Sequence, residues 1–114
     1  MRPVAIQQSR RKYHNIPTTV GGLRFDSKAE ARRWSELLLL QRAGEIYDLR
    51  RQVPFVLHVC GVKIGRLILD FVYVETATQR VVYEDVKGGD ATPLWKWKVK
   101  HFGAEYGRRV EIVR

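Results

Sequence analysis

Between residues 52 and 87 three β-rich runs follow one another with only short breaks, and a strong helix signature stands on either side of them. The first run, 52–59, carries Pro54, which favours a strand start or a sheet edge. Cys60-Gly61 makes a turn, and the second run, 62–75, bends at Gly65. Residues 76–80 turn again into the third run, 81–87, and Gly88-Gly89-Asp90 reads as a loop. Upstream, Ser27-Lys28-Ala29-Glu30 has the form of a capping box, so a helix starts at Ser27. Gly44 ends it near Ala43. Its stripe of Trp34, Leu37, Leu38 and Gln41, widened by Leu40, marks the buried face. Downstream, Thr92 is an N-cap and Pro93 a first-turn residue. Trp95, Val99, Phe102 and Tyr106 recur at helical spacing, and Gly107 is the stop. Residues 110–113 close the chain as a strand. The order α-β-β-β-α-β predicts one α/β domain over residues 13–114. Asn15, Pro17, Gly21 and Gly22 place a turn or small hairpin at its start. Residues 1–12 read as a flexible basic arm ending in Arg10-Arg11-Lys12.

The 114 residues hold 21 Lys plus Arg against 12 Asp plus Glu, a formal net charge of +9. Such a surplus points to a polyanion partner, of which nucleic acid is the commonest. One cysteine, Cys60, excludes an internal disulfide, and His14, His58 and His101 include no pair with zinc-ligand spacing. No apolar run approaches the ~20 residues of a membrane span, and the first residues lack the apolar segment of a signal peptide. A reducing cytoplasm is the expected compartment.

The chemistry centres on Asp70, set inside the apolar run Leu67-Ile68-Leu69-Asp70-Phe71-Val72. A carboxylate there has to be paired, hydrogen-bonded or metal-bound. Fifteen residues later comes Asp85-Val86-Lys87. Strand alternation sends Asp85 and Lys87 to one face, Glu84 and Val86 to the other. If the two runs pair, Asp70 meets Asp85 across them. Two such carboxylates repel unless a cation lies between them, and hard oxygen donors suit Mg²⁺ or Mn²⁺. Lys87 then positions or deprotonates a water, and Glu30 completes the cluster. Against this stand plainer roles. An acid-x-Lys pattern is expected about once by chance at this composition, and Asp26-Ser27-Lys28 is a decoy copy. Asp70 can pair with Arg66 or Lys63, and Glu30 has work as a capping residue.

Together, Phe25-Asp26-Ser27-Lys28-Ala29-Glu30-Ala31, Asp70-Phe71-Val72-Tyr73 and Glu84-Asp85-Val86-Lys87-Gly88 resemble the PD-(D/E)xK nuclease superfamily, in particular small phage and prophage nucleases. The element order is similar to that of the phage endonuclease I type of Holliday junction resolvase. The resemblance covers about residues 12–114. It implies a restriction-endonuclease-like mixed sheet with flanking helices. By the same resemblance Asp70, Asp85 and Glu30 bind the metal, Lys87 is the catalytic lysine, and the products carry 5′-phosphate and 3′-hydroxyl ends. Leu69 stands where the superfamily name has proline. Asp85 replaces the more usual glutamate, shortening the reach by one methylene.

The expected activity is that of a divalent-metal-dependent endodeoxyribonuclease, in particular a Holliday junction resolvase of phage or prophage origin acting in the bacterial cytoplasm. Arg10, Arg11, Lys12, Lys96, Lys98 and Lys100 are the expected DNA contacts, with Trp97 either stacking on an unpaired base or buried in a contact. Two symmetric cuts require a homodimer, and the polar N-terminal segment is the candidate for exchange between protomers. Flap, nicking or restriction-type cleavage on the same fold is the alternative within nucleases. A non-catalytic nucleic-acid-binding protein is the alternative outside them.

Overall fold

The computed structural model describes residues 17–114. Arg10, Arg11 and Lys12 and the arm they end lie outside the described residues. The chain runs through a hairpin of β1 (Thr18–Val20) and β2 (Leu23–Phe25), then α1 (Lys28–Arg42), β3 (Ile46–Val59), β4 (Val62–Glu75), β5 (Val81–Val86), α2 (Pro93–Tyr106) and β6 (Val110–Val113). After the hairpin, this is the predicted α-β-β-β-α-β order. Gly21 and Gly22 take φ of +57° and +82° between β1 and β2. Two consecutive positive φ values are what a two-residue hairpin turn demands, and glycine adopts them without a Cβ clash.

The other four strands form one sheet in the order β3-β4-β5-β6. β3, β4 and β5 are antiparallel neighbours, and α2 carries the chain over to β6, which lies parallel to β5. The sheet is therefore mixed, with a helix packed against each of two cores. β3 begins at Ile46, ahead of the predicted start at Gln52. Residues 46–51 hide their strand character because Asp48, Arg50 and Arg51 interrupt the apolar pattern and Asp48 takes φ +56°. Their pairing is tertiary: Ile46↔Glu75, Tyr47↔Val74 and Arg50↔Val72 match the far half of β4, with a register shift between Tyr47 and Arg50. A second shift falls at Leu57/His58, opposite Gly65, where the sequence predicts a bend.

Leu37, Ile46, Phe71, Tyr73 and Val82 form the core under α1, with Trp34 and Leu40 against it. Leu57, Leu67, Leu69, Phe102 and Val110 form the core with α2, joined by Phe55, Tyr83, Trp95 and Val99. Fully burying a side chain such as Phe71 or Phe102 contributes about 1.5–3 kcal/mol. Leu38, expected on the buried face of α1, is exposed. Gln41 does face inward, its Oε1 accepting the Leu49 N–H at 3.0 Å. On β4, Leu67 and Leu69 serve one core while Phe71 and Tyr73 serve the other, so the strand changes allegiance at Asp70. No helix among the described residues is long and apolar enough to cross a membrane.

Candidate active site

The β4–β5 ladder runs from Val74↔Val81 to Phe71↔Glu84 and stops there. Past that point the strands part, and two carboxylates take over the backbone hydrogen bonds. Asp85 Oδ1 accepts the Asp70 N–H at 3.2 Å, and Asp70 Oδ2 accepts the Val86 N–H at 2.8 Å. Each aspartate is thus anchored to the backbone of the other's strand. β5 meanwhile keeps β6 on its other edge, through Val86↔Val113 and then the Lys87 N–H to the Val113 carbonyl at 2.9 Å. The partners of Asp70 are Val86, Gln52 and Asp85, in place of Arg66 or Lys63.

Lys87 follows directly on β5. Its Nζ lies 3.0 Å from Asp85 Oδ2 and 4.2 Å from the centroid of the Trp95 ring. The ammonium is held between a carboxylate and an aromatic face, a geometry in which the ring quadrupole attracts the charge. Glu30 arrives from the first turn of α1, where Ser27 Oγ caps its N–H at 3.1 Å. Its Oε1 accepts the Asp26 N–H at 3.4 Å, one residue before the position a regular capping box uses. Its Oε2 accepts from Gln52 Nε2 at 2.9 Å, and the same nitrogen donates to Asp70 Oδ1 at 3.2 Å. All four predicted residues therefore share one cleft. Asp85 touches both Asp70 and Lys87, and Glu30 joins Asp70 through the Gln52 amide. Among the described residues, no three His, Cys, Asp or Glu side chains are drawn together tightly enough to form a ready metal cage.

The cleft has a volume of about 510 Å³ and is lined by Asp26, Glu30, Asp70, Asp85 and Asp90, with Lys87 as the cation among its walls. Burial, followed by the charges of Asp85 and Glu30, pushes the Asp70 carboxyl up to about 8, against the pull of the Val86 N–H. Burial and then the charge of Asp26 raise Glu30 as well. The site is short of positive charge, and its oxygens are the hard donors that Mg²⁺ or Mn²⁺ prefers. The donor set fits such a cation.

Glu84, beside Asp85 in sequence, is on the other side of the strand and fully committed. Arg33 grips it with Nε at 2.9 Å and Nη2 at 2.7 Å, and the Tyr73 hydroxyl donates to it. The hydrogen bonds that Arg33 donates to Glu84 raise its guanidinium above the ordinary range, and burial followed by Glu84 raises the Tyr73 phenol. Strand alternation thus separates the two neighbouring acids as predicted: Asp85 to the cleft, Glu84 to a clamp on α1.

Three features are not visible in the sequence pattern. Gln52 heads a predicted strand, and nothing in the periodicity marks it. Trp95 belongs by spacing to the apolar stripe of α2; its position three residues after the Thr92 cap, just beyond the Lys87–Thr92 connection, is the available signal. His58 and His101 converge on Glu105, at 2.6 Å and 3.4 Å, tying the β3 end to α2. Of the lysines predicted to contact DNA, Lys96 and Lys100 are exposed and Lys98 is half-buried. Trp97 is half-exposed and stacks on His101, with centroids 5.3 Å apart.

Residues 10–113 match a family model described as a protein of unknown function, DUF1064. The chain belongs to the DUF1064 family. The match takes in every helix and strand of the described residues and every cleft residue described above. No curated protein and no solved structure matches this DUF1064 chain.

Proposed function

We propose that this protein is a divalent-metal-dependent DNA endonuclease of PD-(D/E)xK type, acting on branched DNA in the manner of a Holliday junction resolvase. One observation carries the reading: in a chain of net charge +9, the cleft where the strands part is lined by five acids and Lys87. A protein that merely bound nucleic acid would present its cations there, since phosphates are drawn to Lys and Arg. An acidic cleft in a basic protein instead suits a cation that then meets a phosphate.

Asp70 and Asp85, with Glu30, would hold that cation. When bound, it supplies charge neutralisation at the scissile phosphate and a more acidic water. The chain's own residues prepare the rest. Backbone N–H groups fix both aspartates before substrate arrives, so no reorganisation is needed at the moment of reaction. Asp85 and the Trp95 ring hold the Lys87 ammonium at the cleft wall, where its N–H groups offset charge growing on the phosphate oxygens and donate to the oxygen of the attacking water. In the hydrolysis, water oxygen bonds to phosphorus and the bond to the 3′-oxygen breaks. The attacking water gives up one proton to solvent and the departing 3′-oxygen takes one up, leaving a 5′-phosphate and a 3′-hydroxyl.

The test is a cleavage panel of four-way junction, flap, linear duplex and single-stranded DNA with Mg²⁺ or Mn²⁺ and with EDTA. Cleavage is expected with the metals alone, fastest on the junction. Asp70→Asn and Lys87→Ala are each expected to lower the rate about 100-fold or more while keeping the native circular dichroism spectrum. Full activity in Asp70→Asn would remove the proposed site. Equal rates on junction and linear duplex would leave a nuclease but not a resolvase.

A further inference from the structure

Gln52 has a backbone conformation that its place in the sheet does not require. Among the described residues, the non-glycine positions with positive φ are Asp48, Gln52, Cys60 and Gln79. Cys60 and Gln79 sit in turns, and Asp48 sits at the register shift between Tyr47 and Arg50. Gln52, at φ +54°, lies in the interior of β3, and the register is the same on both sides of it, Arg51↔Phe71 before and Val53↔Leu69 after. A left-handed residue with a long side chain is unfavourable in a strand and persists where the surroundings impose it. Its side chain accounts for the position. One amide nitrogen spans Glu30 Oε2 and Asp70 Oδ1, the gap that keeps Glu30 from the two aspartates.

We propose that Gln52 is a further arm of the cation site, resting on the reading of the cleft as a metal site. The Gln52 NH₂ bridges two carboxylates that would otherwise repel. A carboxamide has a donor end and an acceptor end on one planar group. Turning it over withdraws the N–H groups and presents Oε1, a neutral hard oxygen of the kind Mg²⁺ and Mn²⁺ accept. Gln52 therefore holds Glu30 and Asp70 in place before loading and joins them as a ligand after it.

The positive φ also falls where β4 passes from one core to the other, so a purely structural role has to be separated. The substitution Gln52→Gly accepts the left-handed backbone without strain and removes the amide. Calorimetric titration of the full chain with Mn²⁺, alongside thermal melting without cation, reads the two roles apart. Gln52→Gly is expected to melt no lower than wild type and to bind Mn²⁺ about tenfold or more weakly. Gln52→Glu, which keeps an oxygen at the same reach, is expected to bind at least as tightly as wild type. Should Gln52→Gly melt lower, Gln52→Asn, which tolerates positive φ but is one methylene short, is expected to show the same weakened binding. Wild-type Mn²⁺ affinity in Gln52→Gly, with binding abolished in Asp70→Asn, overturns the role of Gln52 and leaves the metal site standing. Absence of Mn²⁺ binding in wild type overturns both.

Discussion

At the scale of single residues, the behaviour of the site follows from how its carboxylates are anchored. Asp70 is fixed by one N–H and one amide, both aimed at its oxygens, yet burial and two neighbouring acids outweigh them and lift its carboxyl to about 8. The unfolded chain ionises the same group near 3.8. The folded state therefore binds the proton more tightly. The contribution of Asp70 to stability is fully present below about pH 4 and is lost as pH rises through 8. In EDTA, the stability difference between wild type and Asp70→Asn is expected to move against wild type across that window and to level off above it. Urea unfolding at a series of pH values measures this, and a difference that does not change between about pH 4 and 8 would contradict it. Asp70, Asp85 and Lys87 were legible in the sequence because an acid inside an apolar strand needs an explanation, and alternation sorts Asp85 from Glu84. Gln52 was illegible because its role depends on a backbone φ, and neither composition nor periodicity encodes one.

At the scale of elements, the cleft depends on β5 being held in place from the side that faces away from it. Glu84 ties β5 to α1 through Arg33, and to β4 through Tyr73, with Glu84 only 2% exposed. Removing one partner of such a pair leaves a buried charge uncompensated, which is worse than never having had the pair. Arg33→Ala is expected to destabilise the fold by about 3–5 kcal/mol, read as a lower urea midpoint with an unchanged slope. A loss below about 1 kcal/mol would mean that Tyr73 and water satisfy Glu84 without the guanidinium. The helices were the most legible elements, since Ser27 and Thr92 cap them as their sequence patterns require: each side chain accepts an N–H three residues on, from Glu30 and Trp95. The stops at Gly44 and Gly107 are local signals too. The first half of β3 was not legible, because Arg50 and Arg51 look like loop residues until the length of β4 supplies them with partners.

At the scale of the whole molecule, the proposed nuclease activity requires an acid-lined cleft to meet a polyanion. All 12 acids lie among the described residues, and five of them line the cleft, whereas four of the 21 basic residues precede residue 17. Among the described residues, Lys87 is the cation of the cleft, whereas Lys96 and Lys100 stand exposed on α2. If the protein acts on DNA as proposed, attraction at a distance and repulsion at the cleft floor act on different phosphates, and a divalent cation would remove the second without altering the first. This separation predicts two independent salt and metal responses. Binding of a catalytically silent Asp70→Asn protein to junction DNA is expected to weaken linearly in log–log form as monovalent salt rises. Each of Lys96→Ala and Lys100→Ala should flatten that slope by about one unit. In wild type, adding Ca²⁺ as a non-catalysing cation is expected to tighten binding at constant ionic strength, whereas Asp70→Asn should gain little. Fluorescence anisotropy of labelled junction DNA resolves both. If the lysine variants bind with an unchanged slope, the α2 face is an ordinary solvated surface and the DNA path runs elsewhere. If Ca²⁺ has no effect on wild type, the acids do not share a cation with the phosphate, and the charge pattern loses its functional meaning.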